Sequence, residues 1–203
     1  MSGDELELKA VVPDPSALRA ALGAAGASLV WRGMMHDRRY DRGGELAARD
    51  EVLRARVLRD ISGLLAGGGH SELTWKGPTR RSPEGYKVRR ELELPLGGDA
   101  DPGVLLEALG YRVVHAIDRW IEQHDLAGAM VRLEWYPRMD ILVEIEGRPD
   151  AIERAIAASG IARIAFSADA LAEFVARYQQ ARGRPAALAL DELDGERPAW
   201  EVM

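Results

Sequence analysis

The chain has 203 residues, of which 47% are hydrophobic and 30% are charged, so it suits one soluble domain, or one domain with a tail. A formal net charge of -6 argues against a general nucleic-acid-binding surface, and the absence of cysteine excludes disulfides, thiolate metal sites and cysteine nucleophiles. No apolar run approaches the roughly 20 residues of a membrane-spanning helix, and acidic residues stand near the N-terminus where a signal peptide is basic, so we expect a cytoplasmic protein.

Hydrophobic periodicity predicts strands through most of the first half of the chain. Residues 4–12 alternate polar and apolar side chains, which is the period of a half-buried strand. Prolines and an aspartate at 13–15 then signal a helix over residues 15–26, with Gly26 as its stop. Beyond this helix the pattern indicates a loop or short strand at 31–40, strands at 52–61, 71–76 and 86–94, and a glycine-rich hairpin turn at 63–69.

The second half of the chain predicts three more strands and three helices. The helices are expected over 102–110, 150–159 and 168–180, the last one capped by Ser167, and the strands over 111–122, 129–136 and 140–146. About eight strands joined mostly by short links favour an antiparallel sheet. We therefore expect an α+β domain over 1–181, followed by a loosely attached C-terminal tail at 182–203.

Charged residues share one face of most predicted strands, because side chains two residues apart point the same way. For any single strand, the common interpretation of this pattern is a solvated outer face. The set as a whole is unusual because charges of one sign cluster, as in three Glu-x-Glu pairs and one Arg-x-Arg pair, and each cluster requires a compensating partner. The shared faces carry Glu5, Glu7 and Lys9; Arg54 and Arg56; Lys87, Arg89, Glu91 and Glu93; Arg132 and Glu134; and Glu144 and Glu146.

These clusters predict a closed β-barrel with its charges inside. Paired glutamates suit divalent cations, which prefer oxygen ligands, while arginine and lysine suit phosphate oxygens. Both sets are satisfied if polar side chains point inward and apolar ones outward, with the four helices covering the outside. The sequence therefore predicts an antiparallel barrel of about eight strands that encloses a polyanion together with its metal ions.

Glu5, Glu7 and Lys9 resemble the ExExK signature of the CYTH superfamily, the triphosphate tunnel metalloenzymes, which include class IV adenylate cyclases, thiamine triphosphatases and inorganic triphosphatases. Segments similar to further motifs of that family follow in order at 36–41, 44–56, 74–78, 89–93 and 144–147. There are two departures. Ile117 stands where many cyclase-like members have lysine, and the glycine-bearing turn expected after Glu134 is absent.

The resemblance implies roles for three groups of residues. The metal, Mg²⁺ or Mn²⁺, would bind to Glu5, Glu7, Glu134, Glu144 and Glu146. The phosphates would bind to Lys9, Arg54, Arg56, Lys76, Lys87, Arg89 and Arg119. The residues predicted to be catalytic are Lys9, Glu91 and Glu93, with the two glutamates deeper in the tunnel.

The leading hypothesis is metal-dependent hydrolysis of a triphosphate compound, which is tripolyphosphate, thiamine triphosphate or a nucleoside triphosphate. Two alternatives stay open: an adenylate cyclase that makes cyclic AMP and pyrophosphate, and a polyphosphate- or nucleotide-binding module without turnover. A cyclase requires an adenine pocket, for which Trp31, Trp75, Trp120 and Trp135 are candidate stacking residues. The expected partner is a small-molecule triphosphate, with no nucleic acid and no membrane, and the expected state is a monomer or homodimer.

Overall fold

The computed structural model describes residues 2–83, 87–96 and 101–201, and the side chains within those ranges except at 2–5 and 87. In this part of the chain the strands are β1 Ser2–Val11, β2 Ser28–Asp41, β3 Val52–Asp60, β4 Gly69–Lys76, β5 Arg80–Arg81, β6 Lys87–Leu96, β7 Arg112–Leu126, β8 Ala129–Trp135 and β9 Leu142–Gly147. The α-helices are α1 Pro15–Ala24, α2 Pro102–Ala108, α3 Pro149–Ser159 and α4 Leu171–Arg182.

Eight strands form a closed antiparallel barrel, and the two-residue β5 adds to one side of β6. The order around the barrel is β1-β9-β8-β7-β2-β3-β4-β6, and β6 pairs back with β1 to complete the ring. Each pair in the ring is antiparallel, with Lys9 of β1 opposite Glu144 of β9 and Glu7 opposite Glu146. The predicted α+β class and the closed barrel are therefore confirmed.

The main hydrophobic core lies outside the barrel. Apolar side chains on the outer faces of β1, β8 and β9 are at most 4% exposed and pack against helices α1 and α3. Burial of each such leucine, isoleucine or valine contributes about 1.5–3 kcal/mol to stability. The outer-face residues of this core are Leu8, Ala10, Val131, Leu133, Trp135, Val143 and Ile145.

Local signals in the sequence account for the ends of the covering helices. The Asp14 carboxylate accepts hydrogen bonds from the backbone N–H groups of Ser16 and Ala17, which caps α1. Gly160, with φ of 73°, ends α3 in the left-handed conformation that glycine adopts without steric cost. These two helices therefore present their apolar faces to the barrel over the lengths that the sequence predicts.

Two expectations about secondary structure are wrong. The segment expected to be a loop or short strand at 31–40 is part of a 14-residue strand, β2, whose polar residues on both faces conceal the strand period. Ser167 does not cap the last helix, because its backbone exchanges two hydrogen bonds with that of Lys9. Helix α4 consequently begins at Leu171, and it lines the barrel cavity instead of covering the outer surface.

The expectation of a loosely attached tail is also wrong. Ala187 is fully buried and exchanges backbone hydrogen bonds with Arg138. The carboxylate of Asp118 on β7 accepts a hydrogen bond of 2.9 Å from the backbone N–H of Leu190, and the backbone N–H of Asp118 donates to Leu188. The tail is therefore fixed against the barrel by main-chain contacts. In the described part of the chain, no helix is long and apolar enough to cross a membrane.

Candidate functional site

The barrel encloses one large cavity of about 900 Å³, lined by side chains from all eight ring strands and from α4. Among the described residues, nine cationic and nine anionic side chains line it. The cavity is thus strongly charged yet formally neutral. The barrel interior carries the charges that the strand parity predicted, and the apolar side chains that alternate with them on β1, β8 and β9 face outward.

We call one side of the cavity the acidic wall, formed by inward-facing charged residues of β1, β8 and β9. Four carboxylates share this wall with two cations, so it carries an excess of negative charge. The Lys9 ammonium lies 2.8 Å from a Glu7 carboxylate oxygen and 2.7 Å from one of Glu144. Its members are Glu7, Lys9, Arg132, Glu134, Glu144 and Glu146.

Burial and ion pairing fix the charge states in the acidic wall. Burial alone would lower the pKa of Lys9, but Glu144 and Glu7 outweigh it and hold that pKa well above its usual value. Burial alone would raise the pKa of Glu144, but Lys9 and Arg132 hold it well below its usual value. At neutral pH Lys9 is therefore an ammonium and Glu144 a carboxylate, so Lys9 supplies positive charge and cannot accept a proton.

We call the opposite side the basic wall, formed by inward-facing charged residues of β2, β3, β4 and β6. Five cations share it with three carboxylates, so it carries an excess of positive charge. Arg56 donates two hydrogen bonds to the Asp37 carboxylate, at 2.6 and 2.9 Å. Its members are Asp37, Arg39, Arg54, Arg56, Glu72, Lys76, Arg89 and Glu93.

Neighbouring polar groups also orient Arg54 and Arg89 of the basic wall. Arg54 donates to the hydroxyl of Thr74 at 3.0 Å and to the carboxylate of Glu72 at 3.2 Å. Arg89 donates to two backbone carbonyls, those of Gly77 and Asp50, each at 2.6 Å. Because these partners come from adjacent strands and connecting loops, the guanidinium groups are held in place before any ligand binds.

Arg119 on β7 connects the two walls. It donates to Glu134 of the acidic wall at 2.6 Å and to Asp37 of the basic wall, and Tyr136 donates its hydroxyl to Glu134 at 2.6 Å. The Nε atoms of Arg54 and Arg119 are buried and have no hydrogen-bond partner in the structure. A buried donor left unpaired is costly, and an anion in the cavity is the natural acceptor for such groups.

Most of the predicted site residues converge on the cavity. Lys9, Arg54, Arg56, Lys76, Arg89 and Arg119 line it, as do Glu7, Glu134, Glu144 and Glu146. The side chains of Glu5 and Lys87 lie outside the described residues, although their backbones pair within the ring. The roles assigned to these residues stay predictions.

Glu91 and Glu93 differ in their surroundings. Glu91 is 7% exposed and forms an ion pair with Lys76. The expectation that Glu93 lies deep in the tunnel is wrong, because its side chain is 44% exposed and reaches only to within 4.0 Å of Arg54. Glu93 therefore lines the cavity where solvent has access.

Seven of the described charged residues that line the cavity were absent from the predicted site: Asp37, Arg39, Asp50, Glu72, Arg81, Arg132 and Glu173. Asp37 and Arg39 were missed because β2 was not predicted as a full strand, so the alternation of its side chains was not used to assign them to a face. Glu72 shares the face of Lys76, and Arg132 that of Glu134, so strand parity was sufficient to find both.

The acidic wall offers oxygen ligands of the kind that hard divalent cations prefer. Glu7 and Glu144 both contact the Lys9 ammonium, and Glu144 also pairs with Arg132 at 2.9 Å, so the two carboxylates lie side by side between these cations. No group of three potential metal-ligating side chains converges among the described residues. Since Mg²⁺ commonly binds through one or two carboxylates together with substrate phosphates and water, the pair fits such an ion.

Comparisons with known proteins identify the fold. No protein-family model and no curated protein matches the sequence. Among solved structures, a protein from Pyrococcus horikoshii OT3 matches with a TM-score of 0.65 and 22% identity, covering 89% of this chain and 99% of that one. A proposed adenylate cyclase from Vibrio parahaemolyticus matches with a TM-score of 0.65 and 15% identity, covering 85% and 97%.

A third structure is a proposed adenylyl cyclase from Hippeastrum described as having a dominant triphosphatase activity. It matches with a TM-score of 0.55 and 18% identity, covering 89% of this chain and 96% of that one. At these identities the likeness concerns the fold. Together with the closed barrel of eight strands, it shows that the chain has the same antiparallel barrel fold as these structures.

Proposed function

We propose that this protein hydrolyses a triphosphate compound inside the barrel, with Mg²⁺ or Mn²⁺ as cofactor. The observation that carries the proposal is the opposition of the acidic and basic walls across one enclosed cavity. The lining charges already balance, so a triphosphate brings an excess of negative charge that the side chains alone do not neutralise. A divalent cation at the acidic wall restores the balance, which supports the metal requirement.

In this proposal Arg54, Arg56, Lys76 and Arg89 of the basic wall hold the phosphates together with Arg119. Guanidinium groups fixed inside the barrel stabilise negative charge more strongly than mobile groups in bulk solvent. The unpaired Nε donors of Arg54 and Arg119 support this role, because phosphate oxygens accept such hydrogen bonds. The cavity thereby positions the terminal phosphate for attack by water without forming a covalent enzyme intermediate.

The metal would be held by Glu7 and Glu144, with Glu5 and Glu146 as further ligands. When bound, it would neutralise charge on the phosphate oxygens and lower the pKa of water. Glu134 differs from the others, since its two oxygens bind Arg119 and Tyr136. We infer that Glu134 acts mainly by holding Arg119 between the two walls.

Of the three residues predicted to be catalytic, Glu93 is best suited to accept a proton from water. Lys9 is an ammonium, and Glu91 is bound to Lys76. The Glu93 carboxylate lines the cavity, has solvent access and lies 4.0 Å from Arg54. A general base needs reach to the proton that it accepts, and the position of Glu93 in the cavity supports that role.

A substrate panel tests the proposal. Tripolyphosphate, thiamine triphosphate and ATP are each incubated with Mg²⁺, with Mn²⁺ and with EDTA, and orthophosphate, pyrophosphate and cyclic AMP are quantified. We expect orthophosphate release that EDTA abolishes. Metal-independent release, or tight binding of all three compounds without any product over hours, would contradict the proposal, and the second result would indicate a binding module.

Adenylate cyclisation is the second candidate, supported by one feature of the cavity. Of the four tryptophans considered as stacking residues, Trp31 lines the cavity, beside the apolar side chains of Val30, Leu58 and Leu65. Trp135 is buried in the outer core instead. An apolar, aromatic end of the cavity suits a base or another flat organic group. Cyclic AMP together with pyrophosphate in the ATP incubation would identify this reaction.

A further inference from the structure

Arg39 is a cavity residue that the proposed roles leave unused. It lies on β2, where its Cα is paired with that of Arg54 on β3 and that of His115 on β7. The three residues face the cavity together, and the Arg39 side chain is half-buried. Two guanidinium groups therefore project from directly opposed positions of neighbouring strands.

Arg39 differs from the other lining cations in its partners. Across the described ranges, Arg39 and Arg81 alone among the cavity-lining arginines and lysines have neither an ion pair nor a hydrogen bond. Arg81 is exposed, so water solvates its charge. Burial lowers the pKa of Arg39 from its usual value, and although Asp37 raises it, Arg54, Arg119 and Arg89 lower it further.

The carboxylates of Asp37 and Glu72 are both engaged by other arginines. Asp37, two residues along the same strand face, binds Arg56 through both of its oxygens and also Arg119. Glu72, on the far side of Arg54, binds both Arg54 and Arg56. Like charges directly opposite each other in a sheet are destabilising, so the Arg39–Arg54 pair costs stability unless an anion lies between the two groups.

We propose that Arg39 is a phosphate-binding residue that holds, together with Arg54, one phosphate group of the substrate. The inference deepens the proposed function and rests on it. The guanidinium group of Arg39 and the unpaired Nε of Arg54 together supply several donors to one phosphate, whose oxygens accept bidentate hydrogen bonds from arginine. On β7, Ile117 places an apolar side chain in the cavity beside Asp37 and therefore contributes no charge there. Arg39 supplies a positive charge next to this position.

Calorimetric titration with tripolyphosphate in EDTA tests the inference, because binding is then measured without turnover. We expect Arg39→Gln to weaken the affinity about 10- to 100-fold, the range for hydrogen bonds to charged groups, and Arg39→Lys to recover part of the loss. The matched control is Arg32→Gln, which makes the same charge change on the outer face of β2 and should bind like the wild type.

Thermal unfolding separates this role from a structural one. Without ligand, Arg39→Gln should unfold at the wild-type temperature or higher, since it removes an uncompensated repulsion. With tripolyphosphate, the ligand-induced rise in Tm should be smaller than in the wild type. Wild-type affinity in Arg39→Gln, while the wild type binds and hydrolyses tripolyphosphate, would overturn this inference alone. Absence of binding and of turnover in the wild type would overturn the proposed function as well.

Discussion

The acidic wall and the basic wall of the cavity differ in what lies behind them. Behind the acidic wall, the outer faces of β1, β8 and β9 are sealed by α1 and α3, and residues such as Val131, Val143 and Ile145 are fully buried. Behind the basic wall, the outer face of β6 is open, with Leu92 exposed by 42% and Leu94 by 58%. One half of the barrel thus rests on a hydrophobic core, and the other half has a thinner cover.

This difference matches what each wall would have to do. Carboxylates that share a metal ion must stay at fixed separations, and packed strands hold them there. Arginine and lysine reach phosphate oxygens with long side chains, so their strands tolerate more motion. We therefore expect changes in the acidic wall to affect metal dependence and folding stability, and changes in the basic wall to affect substrate binding.

The largest expected effect is on stability, at Glu134. This carboxylate is fully buried and paired with Arg119, so Glu134→Ala leaves a buried guanidinium short of a partner. Removal of one partner of a buried ion pair costs about 3–5 kcal/mol. Urea unfolding measures the loss, with the exposed pair of Asp150 and Arg154 as control, where Asp150→Ala should cost less than about 1 kcal/mol. Equal losses of unfolding free energy in Glu134→Ala and Asp150→Ala would contradict the expected difference between the buried and the exposed ion pair.

Next in size is the effect of Glu144→Gln on catalysis. Loss of a carboxylate that is proposed to hold the metal should lower the rate of phosphate release about 10³-fold, corresponding to about 4 kcal/mol, and raise the Mg²⁺ concentration needed for half-maximal rate. Phosphate release is followed over a Mg²⁺ titration, with Glu107→Gln on the exposed face of α2 as control. A wild-type Mg²⁺ dependence in Glu144→Gln would contradict the proposal that this carboxylate of the acidic wall binds the metal.

Arg54→Ala, in the basic wall, is expected to lower the rate without changing the Mg²⁺ requirement. Removing this cation, which is proposed to bind phosphate, should lower the rate about 10²–10³-fold, as for other groups that stabilise developing charge, while the Mg²⁺ dependence stays unchanged. The control is Arg59→Ala, an exposed arginine of the same strand. If Arg54→Ala shifted the Mg²⁺ requirement and left substrate affinity intact, the proposed assignment of metal binding to the acidic wall and phosphate binding to the basic wall would be wrong.

A smaller effect is expected where the tail meets the barrel. Asp118→Asn weakens hydrogen bonds from His36, Arg38 and the backbone of Leu190, which should cost about 1–3 kcal/mol. Because the tail then detaches more often, trypsin should cleave sooner after Arg182. Cleavage is followed by mass spectrometry, and unchanged protection in Asp118→Asn would mean that Asp118 does not anchor the tail.

The smallest effect is the pH dependence of that anchor. Burial alone would raise the pKa of Asp118, but hydrogen bonds from His36, Leu190 and Arg38 lower it to about 2. The stabilisation is therefore complete above the unfolded-state pKa of about 4 and is lost as the pH falls through about 2. The difference in unfolding free energy between wild type and Asp118→Asn should narrow by about 1 kcal/mol between pH 7 and pH 3. A difference that widens toward pH 3 would contradict this assignment.

Strand parity was sufficient to predict the barrel and most of its lining, because alternation is a local property of the sequence. The ion pairs were not predictable in this way. That Lys9 lies between Glu7 and Glu144 depends on the β1–β9 register, which brings together residues from opposite ends of the domain. Arg39 stayed hidden for another reason: β2 carries polar residues on both faces, and its inner face is recognised only once the neighbouring strands are in place.

The pairing of β1 with two neighbouring strands has a consequence for how the protein would unfold and aggregate. This strand is hydrogen-bonded to β6 on one side and to β9 on the other, and it completes the ring. Detachment of β1 would open two unsatisfied sheet edges at once, each a template for pairing with another molecule. Loss of the N-terminal strand would therefore favour aggregation of the opened sheet, and not merely an inactive monomer.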